Sequence, residues 1–296
     1  DNVVRQSAAI GIGLLGSLDP AQADIVKSLT DYIAAGKDTQ TRHFCFISLA
    51  QIGSRDVDRA AHSDAHAALI KLFAKEISKP EVKTNRSWAA LAAAIYGKAA
   101  AEDVYKLVDP LLSAYDNEKD PSFKSAFALA LGLLNTFPKA PDILKDFQTI
   151  KDFDFKGYAA VALGFMKHTE AAELLTEACQ SKAINSTYRL QVATALGLMG
   201  NTEAVNTLVN TLETAQTPGV ASAVAKALGL IGDVTAIDPL KALAFDTSKT
   251  VMARAFACVA LGIVCEKTAL PWNARISADN NYRARVQAID DVLDIL

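Results

Sequence analysis

The chain has 296 residues, of which 51% are hydrophobic and 21% are charged, and its formal net charge is −3. A chain with this much apolar content can bury a large core, which excludes a disordered polymer. The acidic balance and the lack of a basic stripe argue against a nucleic-acid partner, since that binding needs clustered Lys and Arg. No uncharged apolar run reaches ~18 residues, so the sequence predicts no transmembrane helix.

A thirteen-residue phrase recurs along the chain. Eight copies begin at Val4, Thr41, Asn85, Phe123, Phe155, Tyr188, Val220 and Ala253, and a ninth, weaker in pattern, begins at Tyr282. Successive copies are 37, 44, 38, 32, 33, 32, 33 and 29 residues apart. Apolar or small residues at phrase positions 5, 6, 9 and 12 have helical spacing, and we call the predicted helix B. A repeat period in this range is typical of a solenoid.

A second amphipathic segment, helix A, comes before each phrase. Examples are Asp64 to Ile77, Glu102 to Tyr115, Ala204 to Leu212 and Ala236 to Leu243. Neither helix can bury its apolar stripe alone, so the A–B hairpins must stack on one another. We therefore expect about seventeen helices, with the B helices on the inner face, essentially no β-sheet, and one solenoid over residues 1–296.

This pattern resembles the HEAT-repeat family, and Phe155 to Cys265 resembles the shorter HEAT-like repeats of phycobilin lyase relatives. The resemblance implies an all-α fold, an α-α superhelix of the HEAT-like α-solenoid type with about eight to nine helical-hairpin repeats. It implies little about function, because such arrays serve many roles.

Phrase position 2 is basic in eight copies, at Arg5, Arg42, Arg86, Lys124, Lys156, Arg189, Arg254 and Arg283. An acidic or amide residue often comes four residues earlier, as at Asp1, Asp38, Asp120, Asp152, Asn185 and Asp279. In HEAT proteins such pairs form a structural ladder of hydrogen bonds and ion pairs along the stacked turns. We expect Arg42 and Arg189 to contact Asp38 and Asn185, or an acidic residue of a neighbouring turn. The alternative is that the basic row binds an anionic partner.

Phrase position 4 is aromatic in four copies, at Phe44, Trp88, Tyr158 and Phe256. Positions 4 and 11 lie on one face of a helix, and that face continues through Ile95, Phe165 and Ile263. Two interpretations are open at this point. The rings either fill the core between repeats, where large apolar side chains usually lie, or line an apolar groove that anchors a protein partner.

Catalytic motifs are weak in this sequence. Gly11 to Gly16 spells G-x-G-x-x-G, but a dinucleotide site needs that string between a strand and a helix, and here it ends a helix B. His62 and His66 have the spacing of a metal pair on one helix, although a solvated turn with Ser63 as the N-cap explains them as well. Deoxyhypusine hydroxylase, a HEAT-like enzyme, carries paired His-Glu dipeptides, which this chain lacks.

These observations favour a non-enzymatic scaffold that binds a protein partner, with no cofactor. The alternatives are a HEAT-like lyase or chromophore-handling enzyme, and a structural spacer within a longer polypeptide. Affinity purification separates them, because a scaffold retains a stoichiometric partner.

The four cysteines and the two chain ends give further expectations. Cys258 and Cys265 are too far apart on one helix for a disulfide, so buried free thiols are predicted, which favours a reducing compartment such as the cytoplasm. The first phrase lacks a helix A, so the first repeat is expected to be truncated, with repeats upstream or a partner covering it. Residues 266–296 read as a C-terminal cap.

Overall fold

A computed structural model describes residues 1–79, 83–99, 104–180 and 186–265. Within these residues the chain forms fifteen α-helices and no strand. The all-α solenoid prediction is therefore confirmed. The chain divides into two compact units, unit 1 from Asp1 to Thr136 and unit 2 from Phe137 onward.

Unit 1 contains seven helices. They are α1 (Asn2–Leu15), α2 (Ala23–Ala35), α3 (Thr39–Arg55), α4 (Ser63–Ile77), α5 (Lys83–Ala99), α6 (Tyr105–Asn117) and α7 (Pro121–Leu133). Helices α1, α3, α5 and α7 hold the first four phrases, and each packs beside the next. Helices α2, α4 and α6 are the A helices, and each packs on the B helix that follows it.

Unit 2 contains eight described helices. They are α8 (Ala140–Thr149), α9 (Phe153–Phe165), α10 (Ala172–Gln180), α11 (Ser186–Met199), α12 (Val205–Glu213), α13 (Pro218–Ile231), α14 (Ile237–Phe245) and α15 (Val251–Cys265). The B helices α9, α11, α13 and α15 pack side by side, and each has its A helix before it. One turn of 3₁₀ helix leads into every A helix of this unit.

The described residues thus hold eight B helices, one for each of the first eight phrases, and seven A helices. The ninth phrase and the expected cap at 266–296 lie outside the described residues. The single solenoid over the whole chain, the truncated first repeat and the inner-face position of the B helices stay predictions.

Glycines near the end of the phrase allow neighbouring B helices to approach closely. A Cβ on Gly164 of α9 would lie 2.7 Å from the carbonyl oxygen of Ala195 in α11. A Cβ on Gly197 of α11 would lie 2.6 Å from the Cα of Ala227 in α13. Both neighbours are backbone atoms, which cannot move aside as a flexible side chain would. The missing side chain of each glycine therefore thins the helix where the backbone of the next helix B passes.

The last phrase position ends several B helices in the left-handed conformation. Its φ is 74° at Gly200 and 62° at Gly232, as expected for a glycine C-cap. Asn135 and Lys167 take the same conformation, with φ of 53° and 51°, although they carry a Cβ. Gly53 occupies the same phrase position, and a glycine there favours the same C-cap, but α3 continues past it to Arg55. There the missing Cβ makes room for the ring of Tyr96 instead.

Candidate functional site

The acidic residues that come before the phrase cap their own helix B. Asp38 accepts the backbone N–H of Thr41 at 2.8 Å, and Asp152 accepts that of Phe155 at 2.7 Å. Asp1 and Asp120 cap α1 and α7 in the same way. The first N–H groups of a helix lack partners within the helix, so a carboxylate there is strongly favoured.

The expected contact between Arg42 and Asp38 is therefore wrong. The Asp38 carboxylate is turned towards the start of α3, where it accepts from Thr41 and from Gln6. These hydrogen bonds lower the pKa of Asp38 to about 2. Arg42 donates instead to the Thr39 hydroxyl at 3.2 Å.

Two arginines at phrase position 2 each link their helix B to the helix A of the same hairpin. Nε of Arg86 donates to the carbonyl oxygen of Ile77 at 2.9 Å, and Nε of Arg254 donates to that of Ala244 at 3.0 Å. Both carbonyls lie at the C-terminal end of the preceding helix A, where carbonyls lack helical partners and a cation is favoured by the helix dipole.

Two lysines of the row reach the same end of their own hairpin by a different contact. Nζ of Lys124 lies 4.4 Å from the ring centroid of Tyr115 near the end of α6. Nζ of Lys156 lies 5.4 Å from the ring centroid of Phe147 near the end of α8. Both ammonium groups therefore lie within cation–π range of an aromatic ring of their own helix A.

The remaining members of the row are placed as follows. Arg5 donates to Oδ1 of Asn2 at 3.0 Å on the exposed face of α1. Arg189 acts electrostatically on the buried thiol of Cys179. Burial raises the pKa of that thiol, and the positive charge of Arg189 offsets part of the rise. Asn185 and Arg283 lie outside the described residues. The basic residues Arg86, Lys124, Lys156 and Arg254 therefore act within a hairpin, and Arg86 also crosses between repeats by pairing with Glu118 at 3.4 Å.

All four aromatic side chains at phrase position 4 are partly exposed. Phe44 and Trp88 lie on the neighbouring helices α3 and α5, and Trp88 stacks on His43 with ring centroids 5.0 Å apart. Tyr158 and Phe256 lie on α9 and α15 of unit 2, with α11 and α13 between them in the stack. Within unit 1 the structure therefore places two of the rings on adjacent helices, and within unit 2 it separates the other two by two helices.

Phrase position 11 supplies a more continuous apolar surface in unit 2. Leu230 is 49% exposed and Ile263 is 40% exposed. Phe165 and Leu198 occupy the same phrase position and are partly exposed. These four residues come from the adjacent helices α9, α11, α13 and α15, and we call them the apolar strip. Sequence analysis missed Leu198 and Leu230, although both are apolar at the position that singled out Phe165 and Ile263.

The two candidate metal ligands share a carboxylate instead. Nδ1 of His62 lies 2.9 Å from one oxygen of Asp56, and Nε2 of His66 lies 2.8 Å from the other. Nδ1 of His66 lies 2.8 Å from the Tyr96 hydroxyl, which Arg59 also approaches at 3.4 Å. Arginine only donates and an ionised carboxylate only accepts. The chain of donors therefore runs from Arg59 to Tyr96, to His66 and to Asp56.

This cluster does not have the form of a metal site. Three of its imidazole nitrogens already have a hydrogen-bond partner, two at Asp56 and one at Tyr96. The described residues contain no group of three His, Cys, Asp or Glu suited to a metal ion. Burial raises the pKa of Asp56, but hydrogen bonds from His66 and His62 outweigh it and hold that pKa below its usual value. His62 is the N-cap residue of α4, so the prediction of Ser63 as the N-cap is wrong by one residue.

The cysteines are all free, but only two are buried. Cys45 and Cys179 lie in the core, and burial raises the pKa of Cys45 to about 11. Cys258 and Cys265 are exposed on α15, so the prediction of buried thiols is wrong for this pair. They lie seven residues apart, two helical turns along one face, which brings both thiols to the same surface.

An apolar groove of about 550 Å³ runs along α1. It is lined by Ala8, Gly11, Ile12, Leu15, Gly16, Gln22 and Ile25. Leu15 is 85% exposed, so the apolar face of the first helix B is open in part.

Comparison with known proteins bears on this architecture. A family model described as HEAT repeats matches residues 185–256, and one described as PBS lyase HEAT-like repeat matches residues 155–181. Repeats of the HEAT type are thus shown for residues 155–181 and 185–256. The matches fall in unit 2, where the phrases are most evenly spaced. No curated protein sequence matches the chain.

Solved structures give a likeness of fold. The chain is similar to YibA of E. coli, with 19% identity, a TM-score of 0.51, and coverage of 86% of this chain and 85% of that one. It also matches human deoxyhypusine hydroxylase in complex with glycerol, with 18% identity, a TM-score of 0.36, and coverage of 89% and 98%. None of the helices described between Asn2 and Cys265 has the length and hydrophobicity needed to span a bilayer.

Proposed function

We propose that this chain is a non-enzymatic scaffold that binds a protein partner through the apolar strip of unit 2. The observation that carries the proposal is the exposure of Leu230 and Ile263 on neighbouring helices, in line with Phe165 and Leu198. Single exposed apolar residues are common on protein surfaces, whereas a contiguous row is a mark of an interaction site.

The dimensions of the strip suit a helical or extended segment of a partner. Packed helices lie about 8–10 Å apart, so four B helices present a row roughly 25–30 Å long. Burying a Leu or Phe side chain contributes about 1.5–3 kcal/mol. Part of that gain is offset by the entropy lost on association, so a partner must cover several residues of the strip to bind stably.

Phe44 and Trp88 form a second candidate contact in unit 1. Both rings are partly exposed on neighbouring helices, and the His43 ring stacked on Trp88 holds the indole in place. A large aromatic side chain fixed in this way loses little conformational entropy when a partner covers it. Trp88→Ala is therefore expected to weaken binding of a partner that touches unit 1, without unfolding the chain.

A chromophore-handling lyase is the alternative that a specific observation favours, namely the match of residues 155–181 to a PBS lyase HEAT-like repeat. This match covers a repeat type and contains no catalytic residue set. Pigment bound to the purified protein, or pigment transfer by it, would support the alternative against the scaffold.

The test is affinity purification of the tagged chain at native levels, with two charged substitutions compared. Leu230→Glu places a carboxylate in the middle of the strip and is expected to reduce recovery of a stoichiometric partner at least about tenfold, because a buried unpaired charge is costly. Val234→Glu is the matched control, since Val234 is also exposed in unit 2 but lies off the strip, in the turn after α13.

Two results would count against the proposal. Equal partner recovery by both variants would show that binding does not use the strip. If the unsubstituted chain retains no partner, the spacer function gains. Circular dichroism melts of each variant show whether a loss comes from unfolding instead.

A further inference from the structure

A pocket of about 430 Å³ lies in unit 1, where the ends of α4 and α6 meet the start of α5. It is lined by Ile77, Ser78, Lys83, Arg86, Pro110, Ser113, Ala114, Asn117, Glu118 and Lys119. A volume in this range is typical of sites for small organic ligands. The lining combines one carboxylate with three cationic side chains and an apolar wall.

The carboxylate of Glu118 is already saturated by the protein. Its side chain is 4% exposed, and Oε1 accepts the backbone N–H groups of Lys119 and Asp120, both at 3.0 Å. Nζ of Lys83 lies 3.2 Å from Oε1, and Nη1 of Arg86 lies 3.4 Å from Oε2. A carboxylate offers about four lone-pair sites, so little acceptor capacity is left for a cationic ligand.

The cations, in contrast, keep donors to spare. Arg86 carries five N–H donors, and its described acceptors are the Ile77 carbonyl and Glu118. Its guanidinium carbon lies 5.3 Å from the ring centroid of Phe127, within the range of a cation–π contact. Lys83 has three ammonium protons and Glu118 as its described acceptor. The pocket therefore has more positively charged donors than its described acceptors take up.

We propose that this pocket binds a small organic oxyanion, with its phosphate or carboxylate head on Lys83, Arg86 and Lys119. Three cations face one carboxylate, so an anionic head completes the charge balance, and charge-assisted hydrogen bonds are the strong ones. Ile77, Pro110 and Ala114 give the pocket an apolar side, which suits a ligand with an apolar body behind the head. The proposal does not depend on the apolar strip, which belongs to unit 2.

The experiment is an NMR titration of the full chain with phenyl phosphate, benzoate and inorganic phosphate at constant ionic strength. We expect saturable shifts of the amide signals around Lys83, Arg86 and Glu118. Phenyl phosphate is expected to bind tighter than inorganic phosphate, because its ring covers the apolar wall. The stronger of phenyl phosphate and benzoate identifies the head group that the pocket prefers.

Paired substitutions distinguish the pocket from general charge attraction. Lys83→Gln with Lys119→Gln is expected to weaken binding by about tenfold or more, each lost charge-assisted bond contributing to that factor. The control is Lys71→Gln with Lys75→Gln, which removes the same charge from exposed positions of α4 and is expected to change binding less than about twofold.

The proposal is overturned if none of the three anions gives saturable shifts at these amides. It is also overturned if the control pair weakens binding as much as the pocket pair does. Both variants keep Arg86 and Glu118, so the hairpin contact with Ile77 is retained, and unchanged melting curves confirm that each variant is folded.

Discussion

The two units contain the same helix B phrase and differ in what surrounds it. The A helices of unit 1 have 13, 15 and 13 residues, whereas those of unit 2 have 10, 9, 9 and 9. Phrase position 11 is buried in α5 and α7 of unit 1, with Ile95 6% and Leu133 8% exposed, although Leu14 of the first helix B is 46% exposed. In unit 2 the same position is open at Leu230, which is 49% exposed. The phrase specifies the stack, and the rest of each repeat decides which of its residues reach the surface.

The connections between helices B and A differ in a related way. In unit 1, the connection from Asp56 to His62 contacts Tyr96 of the next helix B, directly through Arg59 and through the bond of Asp56 to His66. In unit 2 the helix ends in a left-handed residue, such as Lys167, and one 3₁₀ turn leads directly into helix A. A 3₁₀ turn also leads into helix A in unit 1, at Pro20–Gln22, so the connection at Asp56 differs from the others in its polar contacts with the next helix B.

The largest expected effect comes from adding a side chain to Gly164, where the backbones of α9 and α11 pass close to each other in unit 2. Gly164→Ala places a Cβ against the backbone of Ala195, which cannot move without separating α9 from α11. We expect the free energy of unfolding of unit 2 to fall by about 1–3 kcal/mol. Urea denaturation followed by hydrogen exchange of peptides from each unit measures the loss and assigns it to a unit.

Gly11→Ala in unit 1 is the matched control. Gly11 also lies within a helix B, but a Cβ there meets no atom within 4 Å. Since alanine is the better helix former, this change is expected to stabilise α1 by about 0.5–1 kcal/mol. If Gly164→Ala and Gly11→Ala lower the free energy of unfolding equally, the close approach of backbones at Gly164 is not the cause of the loss.

The next prediction concerns the polar connection of unit 1. Tyr96→Phe removes a hydroxyl that is fully buried and leaves Nδ1 of His66 without its partner. Leaving a buried polar atom unsatisfied costs about 1–3 kcal/mol, so unit 1 is expected to lose stability in that range. Tyr105→Phe is the control, because Tyr105 is 61% exposed, and a similar loss there would contradict the explanation.

The sequence predicted the stack better than it predicted the side-chain contacts. Phrase spacing located eight B helices, because burial of an apolar stripe imposes helical periodicity that survives in any repeat. The prediction that Arg42 pairs with Asp38 was wrong because the carboxylate can bond either to the arginine or to the first N–H groups of α3. In the structure it accepts from the backbone N–H of Thr41. The exposure of Leu230 was missed because periodicity shows which face a residue occupies and says nothing of how far a neighbour covers it.

Low pH is expected to reduce the stability that Asp56 contributes through its hydrogen bonds with His62 and His66. A carboxyl whose pKa is lowered by folding stabilises the fold above its ordinary pKa, and this stability is lost as pH falls through the folded pKa. Hydrogen bonds from His66 and His62 lower the pKa of Asp56. Asp56→Asn is therefore expected to be less stable than the unsubstituted chain at pH 7, with the difference shrinking below about pH 4.

Urea denaturation at pH 7, 5, 4 and 3 measures this convergence. Asp58→Asn is the control, because Asp58 is an exposed neighbour that bonds the Ala61 backbone. A gap between Asp56→Asn and the unsubstituted chain that stays constant from pH 7 to pH 3 would contradict the prediction.

The smallest expected effect tests the tight turns of unit 2. Lys167 ends α9 with φ of 51°, and its N–H bonds to the carbonyl of Gly164 while that of His168 bonds to Leu163. A residue with a Cβ is disfavoured in this conformation by about 1–2 kcal/mol, and glycine regains part of that at the cost of greater freedom when unfolded. Lys167→Gly is therefore expected to stabilise unit 2 by about 1 kcal/mol.

Gly200→Lys is the reciprocal change at the equivalent phrase position. Gly200 has φ of 74°, and a Cβ there would meet no atom within 4 Å, so the substitution makes no steric contact and isolates the backbone effect. We expect a loss of about 1 kcal/mol, nearly equal and opposite to the gain at Lys167. If both substitutions shift the urea midpoint in the same direction, the left-handed cap does not limit the stability of the short repeats. A loss for Lys167→Gly together with a gain for Gly200→Lys would assign the effect to the lysine side chain instead.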